Sequence, residues 1–156
     1  MKKLLIGKKK LGPKVDIADP YYGRDEGERK NDLPLREGVY NCSVVIADDA
    51  ETCGMGERVS ALWIEPDVPA VFAPNAYKKI CDVGVDTAML GVLASETIFT
   101  KDKLWEISDK IIQLPELAMI LDEGIICKSG YGDGYYPVYG VKNKNGVYVA
   151  LRVQFI

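Results

Sequence analysis

The last ten residues, Val147-Tyr-Val-Ala-Leu-Arg-Val-Gln-Phe-Ile156, alternate regularly enough to fix the local backbone. Val147, Val149, Leu151, Val153 and Phe155 fall on one side, and Arg152 and Gln154 on the other. A period of two belongs to a strand with one buried face. The preceding Asn145-Gly146 tolerates the positive φ of a tight hairpin turn, so this strand is expected to pair antiparallel with residues 135–141. Pro137 has no amide hydrogen to give to a ladder and belongs at an edge or a bulge of its strand. Gly124-Ile-Ile-Cys-Lys128 reads as the strand before, which makes the carboxy-terminal third a three-strand meander.

Earlier β-branched and aromatic runs, 38–46 and 58–64, form a long-loop hairpin on the same reasoning, and 79–86 and 88–93 continue the β character. One helical pattern starts at Thr100, a residue that caps amino termini, and puts Leu104, Ile107 and Ile111 on one face. Leu114-Pro115 ends it, and 115–122 suggests a second short helix with proline at its first position. Trp63 and Trp105 lie in apolar patterns and are expected to pack. The expected class is α+β, mainly antiparallel sheet in a curled or partly closed barrel form, with one or two short helices around 100–122. No linker interrupts residues 1–156, so a single domain is expected.

With 20 basic and 23 acidic residues the net charge is only -3, which argues against nucleic acid or an anionic membrane as partner. Lys2, Lys3, Lys8, Lys9 and Lys10 form a local basic cluster that reads as a solvated, partly frayed terminus. The apolar run between them is too short for a secretory segment, and no other run suits a membrane helix, so a cytoplasmic setting with reduced thiols is expected. Cys42, Cys53, Cys81 and Cys127 form no Cys-x-x-Cys pair, and Cys42 and Cys127 sit in strand patterns as small buried hydrophobes. The chain has no histidine, which excludes Ser-His-Asp and Cys-His chemistry and mixed zinc sites. Catalysis would rest on carboxylates, tyrosines, lysines, a cysteine or an oxygen-ligated metal.

The stretch Ser129-Gly-Tyr-Gly-Asp-Gly-Tyr-Tyr-Pro-Val-Tyr-Gly140 packs glycines, tyrosines and one carboxylate into a loop that opens onto a strand. If it meets Asp19-Pro20 and Asp86 in space, Asp19, Asp86 and Asp133 would surround a pocket rimmed by Tyr21, Tyr131, Tyr135 and Tyr136. Three carboxylates with loop carbonyls suit calcium or magnesium, and a metal-bound water would make the site a hydrolase. The plainer alternative has each aspartate capping its own turn. Asp133 would repel an anion from the glycine amides, which disfavours nucleotide binding. Tyrosine faces can instead anchor a partner. The charged loop 24–32 is either solvated or a flap over the site. The favoured expectation is a non-enzymatic binding or accessory module that docks a protein partner, with Tyr21, Ser129, Tyr131, Tyr135 and Tyr136 as binding candidates. A carboxylate-based hydrolase, dependent on a divalent cation or free of any cofactor, is the alternative.

Three elements together resemble a bacterial and phage family, domain of unknown function 4241: Ile17-Ala-Asp-Pro-Tyr-Tyr22, Val83-Gly-Val-Asp86, and the run from Ser129 to Tyr139. In that family the middle aspartate is commonly followed by a small residue, glycine and glutamine, where this chain has Thr87, Ala88 and Met89. The resemblance runs from Lys14 onward and implies one coherent domain, without a substrate or cofactor.

Overall fold

A computed structural model describes residues 1–68 and 72–156. In chain order its elements are β1 (Lys2–Leu11), β2 (Lys14–Ala18), β3 (Lys30–Pro34), β4 (Gly38–Ala47), β5 (Arg58–Pro66), β6 (Lys78–Val85), β7 (Met89–Ala94), α1 (Lys101–Ile111), β8 (Ala118–Leu121), β9 (Gly124–Lys128), β10 (Gly134–Lys142) and β11 (Tyr148–Gln154). Six strands form one antiparallel sheet in the order β1-β4-β5-β11-β10-β6. The other five form a second in the order β3-β2-β7-β9-β8. Among the described residues neither sheet closes on itself as a barrel; the two share an apolar core.

Alternation explains the layering. Leu151 and Val153 of β11, Val44 of β4 and Leu62 of β5 turn to the same core as Leu90 and Val92 of β7 and Ile125 and Cys127 of β9. The intervening Met89, Leu93 and Ile126 point the other way, onto Ile107 and Ile111 of α1. Thus β7 and β9 are covered on both faces, which is why their sequences are continuously apolar rather than alternating. The Thr100 side chain accepts the Lys103 amide and caps α1 as expected. Trp105 differs from expectation: it is 64% exposed, because only the Leu104, Ile107 and Ile111 stripe meets the sheet.

The β4–β5 and β10–β11 hairpins form in the expected pairing. Pro137 pairs only with Asp82 of β6, since the β10–β11 ladder begins one residue later at Val138, so β10 is locally an edge there. The expected meander is corrected: β9 lies in the other sheet between β7 and β8, and the glycine-rich loop crosses from one sheet to the other. Positive φ at Gly130 and Gly132 lets the chain make that crossing. The expected second helix is a strand, β8, because Met119 and Ile120 find ladder partners in Ile126 and Ile125 of β9. The lysine-rich start is no frayed tail but the edge strand β1, paired with β4 along its length and tied by Lys3–Glu65 and Lys8–Asp67 ion pairs.

Cys42 and Cys127 are fully buried, and burial raises the Cys42 thiol to about 12 and Cys127 higher still. Among the described residues, no helix is long and apolar enough to cross a membrane.

Candidate functional site

Asp19 sits at the start of the turn that follows β2 and is fully buried. Its Oδ1 accepts the Tyr21 amide at 2.9 Å and the Thr87 hydroxyl at 2.7 Å, while Oδ2 accepts the Asp86 and Thr87 amides, both at 2.9 Å. A carboxylate with four donors has little capacity left for a cation. What it does is join the 19–22 turn to the 86–87 turn, two of the three sequence landmarks. Asp86 itself is exposed and accepts a hydrogen bond from the Tyr22 hydroxyl, which pushes the Tyr22 phenol up to about 12. Asp133 is exposed as well and lies instead near Lys128, whose pKa burial lowers and Asp133 partly restores. Among the described residues, no three acidic or thiol side chains are grouped to hold a metal ion. Asp19 thus spends its oxygens on the two turns, and among the described residues Asp19, Asp86 and Asp133 do not form a grouped carboxylate centre.

The landmarks nonetheless converge. A cleft of about 350 Å³ is lined by Tyr22, Gly27, Glu28, Gly84, Val85, Asp86, Gly134 and Tyr135. Each of the three motifs contributes: Tyr22 from the first, Gly84 to Asp86 from the second, Gly134 and Tyr135 from the third. Glycines seat the aromatic walls. A Cβ on Gly27 would overlap the Tyr22 ring, and one on Gly84 would lie 3.2 Å from Tyr135 Cε1 and from Glu28 Cβ. The Gly84 amide also donates to the Glu28 carbonyl at 2.8 Å, which holds the 19–32 loop against the free edge of β6.

That loop is no flap. Asp16, 1% exposed, accepts from Arg24 Nε at 3.2 Å, Arg29 Nη2 at 3.3 Å, the Asp32 and Glu96 amides at 2.8 and 3.0 Å, and the Ser95 hydroxyl at 3.1 Å. Asp32 and Glu96, which point their amides at it, both take positive φ, a strained conformation that the carboxylate compensates. Arg29 also donates to the carbonyls of Tyr22 and Gly23, and Asn31 to that of Arg24. Burial alone would raise the Asp16 pKa, but the Asp32 amide, Arg24, the Glu96 amide and Ser95 together hold it below 3.8. Burial lowers the Arg29 pKa, with Asp16 partly offsetting it. The donors around Asp16 together outweigh its burial, whereas for Arg29 burial dominates and the like charge of Arg24 adds to it.

Of the five binding candidates, Tyr135 lines the cleft and the other four do not. Tyr21 turns onto α1, its hydroxyl 2.7 Å from Ser108 Oγ. Ser129 is fully buried and donates to the Gly132 carbonyl at 2.8 Å; Tyr136 donates to the same carbonyl at 2.5 Å and packs edge-on against Phe155. Tyr131 is exposed, with Arg58 6.0 Å from its ring centre. Tyr135 alone of the nominated tyrosines reaches the cleft, and strand alternation with Tyr136 turns it out to 70% exposure. Tyr22 and Glu28 were not anticipated. Adjacent to Tyr21, Tyr22 had an equal composition signal, and only the turn geometry separates the two. No family model, curated protein or solved structure matches the chain.

Proposed function

We propose that this chain is a non-catalytic binding module that docks a protein partner at the Tyr22–Tyr135 cleft, with the start of β10, where the tyrosine- and glycine-rich loop enters the strand, supplying one wall. The observation that carries the reading is the convergence of three distant segments on one open cleft whose aromatic walls rest on glycines. The Tyr135 ring lies across Gly84, its ladder partner in β6, and still leaves 70% of the residue exposed beside the groove, where tyrosines are frequent anchors of interfaces. The buried polar network beneath, centred on Asp16 and Asp19, fixes the backbone at Tyr22 and Asp86 before any partner arrives, so little ordering entropy is lost there on docking.

The test is partner capture from the native host by wild-type chain, by Tyr135→Ala, and by Tyr131→Ala and Asp133→Asn as variants outside the cleft. Tyr135→Ala is expected to lose the captured partner and the other two to keep it. A wild-type bait that retains nothing, or equal retention by all four, ends the reading.

A further inference from the structure

The cleft is acidic as well as aromatic. Glu28 and Asp86 both line it, and among the described residues no basic side chain comes within ion-pair distance of either carboxylate. Nearby, Asp16 and Asp32 share Arg24, and Asp82 is paired with Lys79. Asp86 is further oriented by the Tyr22 hydroxyl. Two phenol rings and two carboxylates line the cleft, and among the described residues no cation is paired with either carboxylate. Anions and phosphates are repelled by that arrangement, and a neutral ligand would leave the charge unused.

We infer that the cleft receives a basic side chain, lysine or arginine, of the protein partner. The inference rests on the binding reading above and names the group recognised. Positive charge over tyrosine faces is attracted by the ring quadrupole, and carboxylates at the rim add the Coulomb attraction. A macromolecule, rather than a free amine, follows from the openness of the site. Pockets for small molecules enclose most of their ligand, whereas here one wall, Tyr135, is itself 70% exposed. The area around the cleft is left for the partner's backbone to cover.

The experiment follows the ring resonances of Tyr22 and Tyr135 in the full chain during titration with four probes. These are Nα-acetyl-lysine-N-methylamide, the corresponding capped arginine, the corresponding capped norleucine, and n-butylammonium. Norleucine keeps the aliphatic stem of lysine and lacks the ammonium. Saturable shifts with lysine or arginine, and binding of norleucine weaker by roughly tenfold, are expected. Glu28→Gln should weaken the cationic probes by about threefold without changing the norleucine response. Tyr135→Ala should abolish binding while its melting curve stays that of the wild type.

Equal binding of norleucine overturns the charge claim and leaves the cleft a binding site. Tighter binding of n-butylammonium than of capped lysine or capped arginine overturns the partner as source and makes a free amine the ligand. If no probe moves either ring while Tyr135→Ala still loses its captured partner, the cation inference fails and the binding reading stands. If neither effect is seen, both fail.

Discussion

Arg29 donates from Nη1 to the backbone carbonyl of Tyr22 at 3.0 Å and from Nη2 to Asp16 at 3.3 Å, so one buried guanidinium ties a wall of the cleft to the anchor of its loop. The planar fork of arginine makes this possible; a lysine ammonium cannot span both acceptors in fixed directions. Arg29→Ala is expected to destabilise the fold by about 3 kcal/mol, the lower end for breaking a buried pair, because Arg24 and two amides stay with Asp16. Urea denaturation measures the loss, and Arg29→Lys should recover less than half of it. Full recovery by lysine would show that charge alone, not the double tie, is what matters.

Acid sensitivity follows from Asp16. Its folded pKa lies below its ordinary 3.8, so its contribution to stability is fully present above that value and disappears as pH falls through the lower folded value. The urea midpoint should hold from pH 7 down to about 5 and fall steeply below about 4. Asp16→Asn removes the titrating group, so that variant should start less stable at neutral pH and lose less between pH 5 and 2. Parallel acid limbs for the two proteins would place the sensitivity elsewhere.

Asp19 is expected to behave as a structural clamp rather than a metal ligand. Asp19→Ala strands the amides of Asp86 and Thr87 and the Thr87 hydroxyl, and should cost about 3 kcal/mol. Asp133→Asn, at an exposed position, should change stability by less than about 0.5 kcal/mol. Melting curves of the wild type with calcium, magnesium or manganese should coincide with the metal-free curve; a midpoint raised by any of the ions would restore the carboxylate-centred reading.

Strands were legible in the sequence in two ways, by alternation or, as in β7 and β9 with both faces covered, as continuous apolar runs. β11 alternates because Arg152 and Gln154 face away from the core, and its period identified it directly. β8 was mistaken for a helix since four residues are too few to display any period, and Pro115 and Gly124 mimic helix punctuation. What decides its state is long-range: the ladder with β9, invisible to local pattern. The same holds for β9, whose assignment to the second sheet depends on both faces finding cover. At the site, the three motifs pointed to a common place, but not to its roster. Asp19 and Asp86 are both aspartates beside turns, and only the fold shows one carboxylate turned inward onto amides and the other left at a cleft. Likewise Arg29 belongs to the stretch 24–32 that reads as solvated charge or a flap, because its pairing with Asp16, thirteen residues earlier and outside that stretch, leaves no periodic trace.

The two glycines under the aromatic walls should separate stability from recognition. Gly27 has φ +67, and a Cβ there would run into the Tyr22 ring, which Asp86 and Arg29 hold from either end. Gly27→Ala therefore meets both a left-handed backbone penalty of about 1 kcal/mol and a clash with a wall that cannot retreat. Its total cost should reach about 2 kcal/mol in urea denaturation. Gly84 has no such backbone restriction, and the groups 3.2 Å from its added Cβ are the exposed side chains of Tyr135 and Glu28, which can swing outward. Gly84→Ala should thus cost less than about 1 kcal/mol yet displace Tyr135 and weaken partner capture. The pair of measurements, stability by urea and capture by bait, should rank the variants in opposite order: Gly27→Ala the less stable, Gly84→Ala impaired in capture at near wild-type stability. Normal capture by Gly84→Ala would show that the seating of Tyr135 on β6 is irrelevant to recognition.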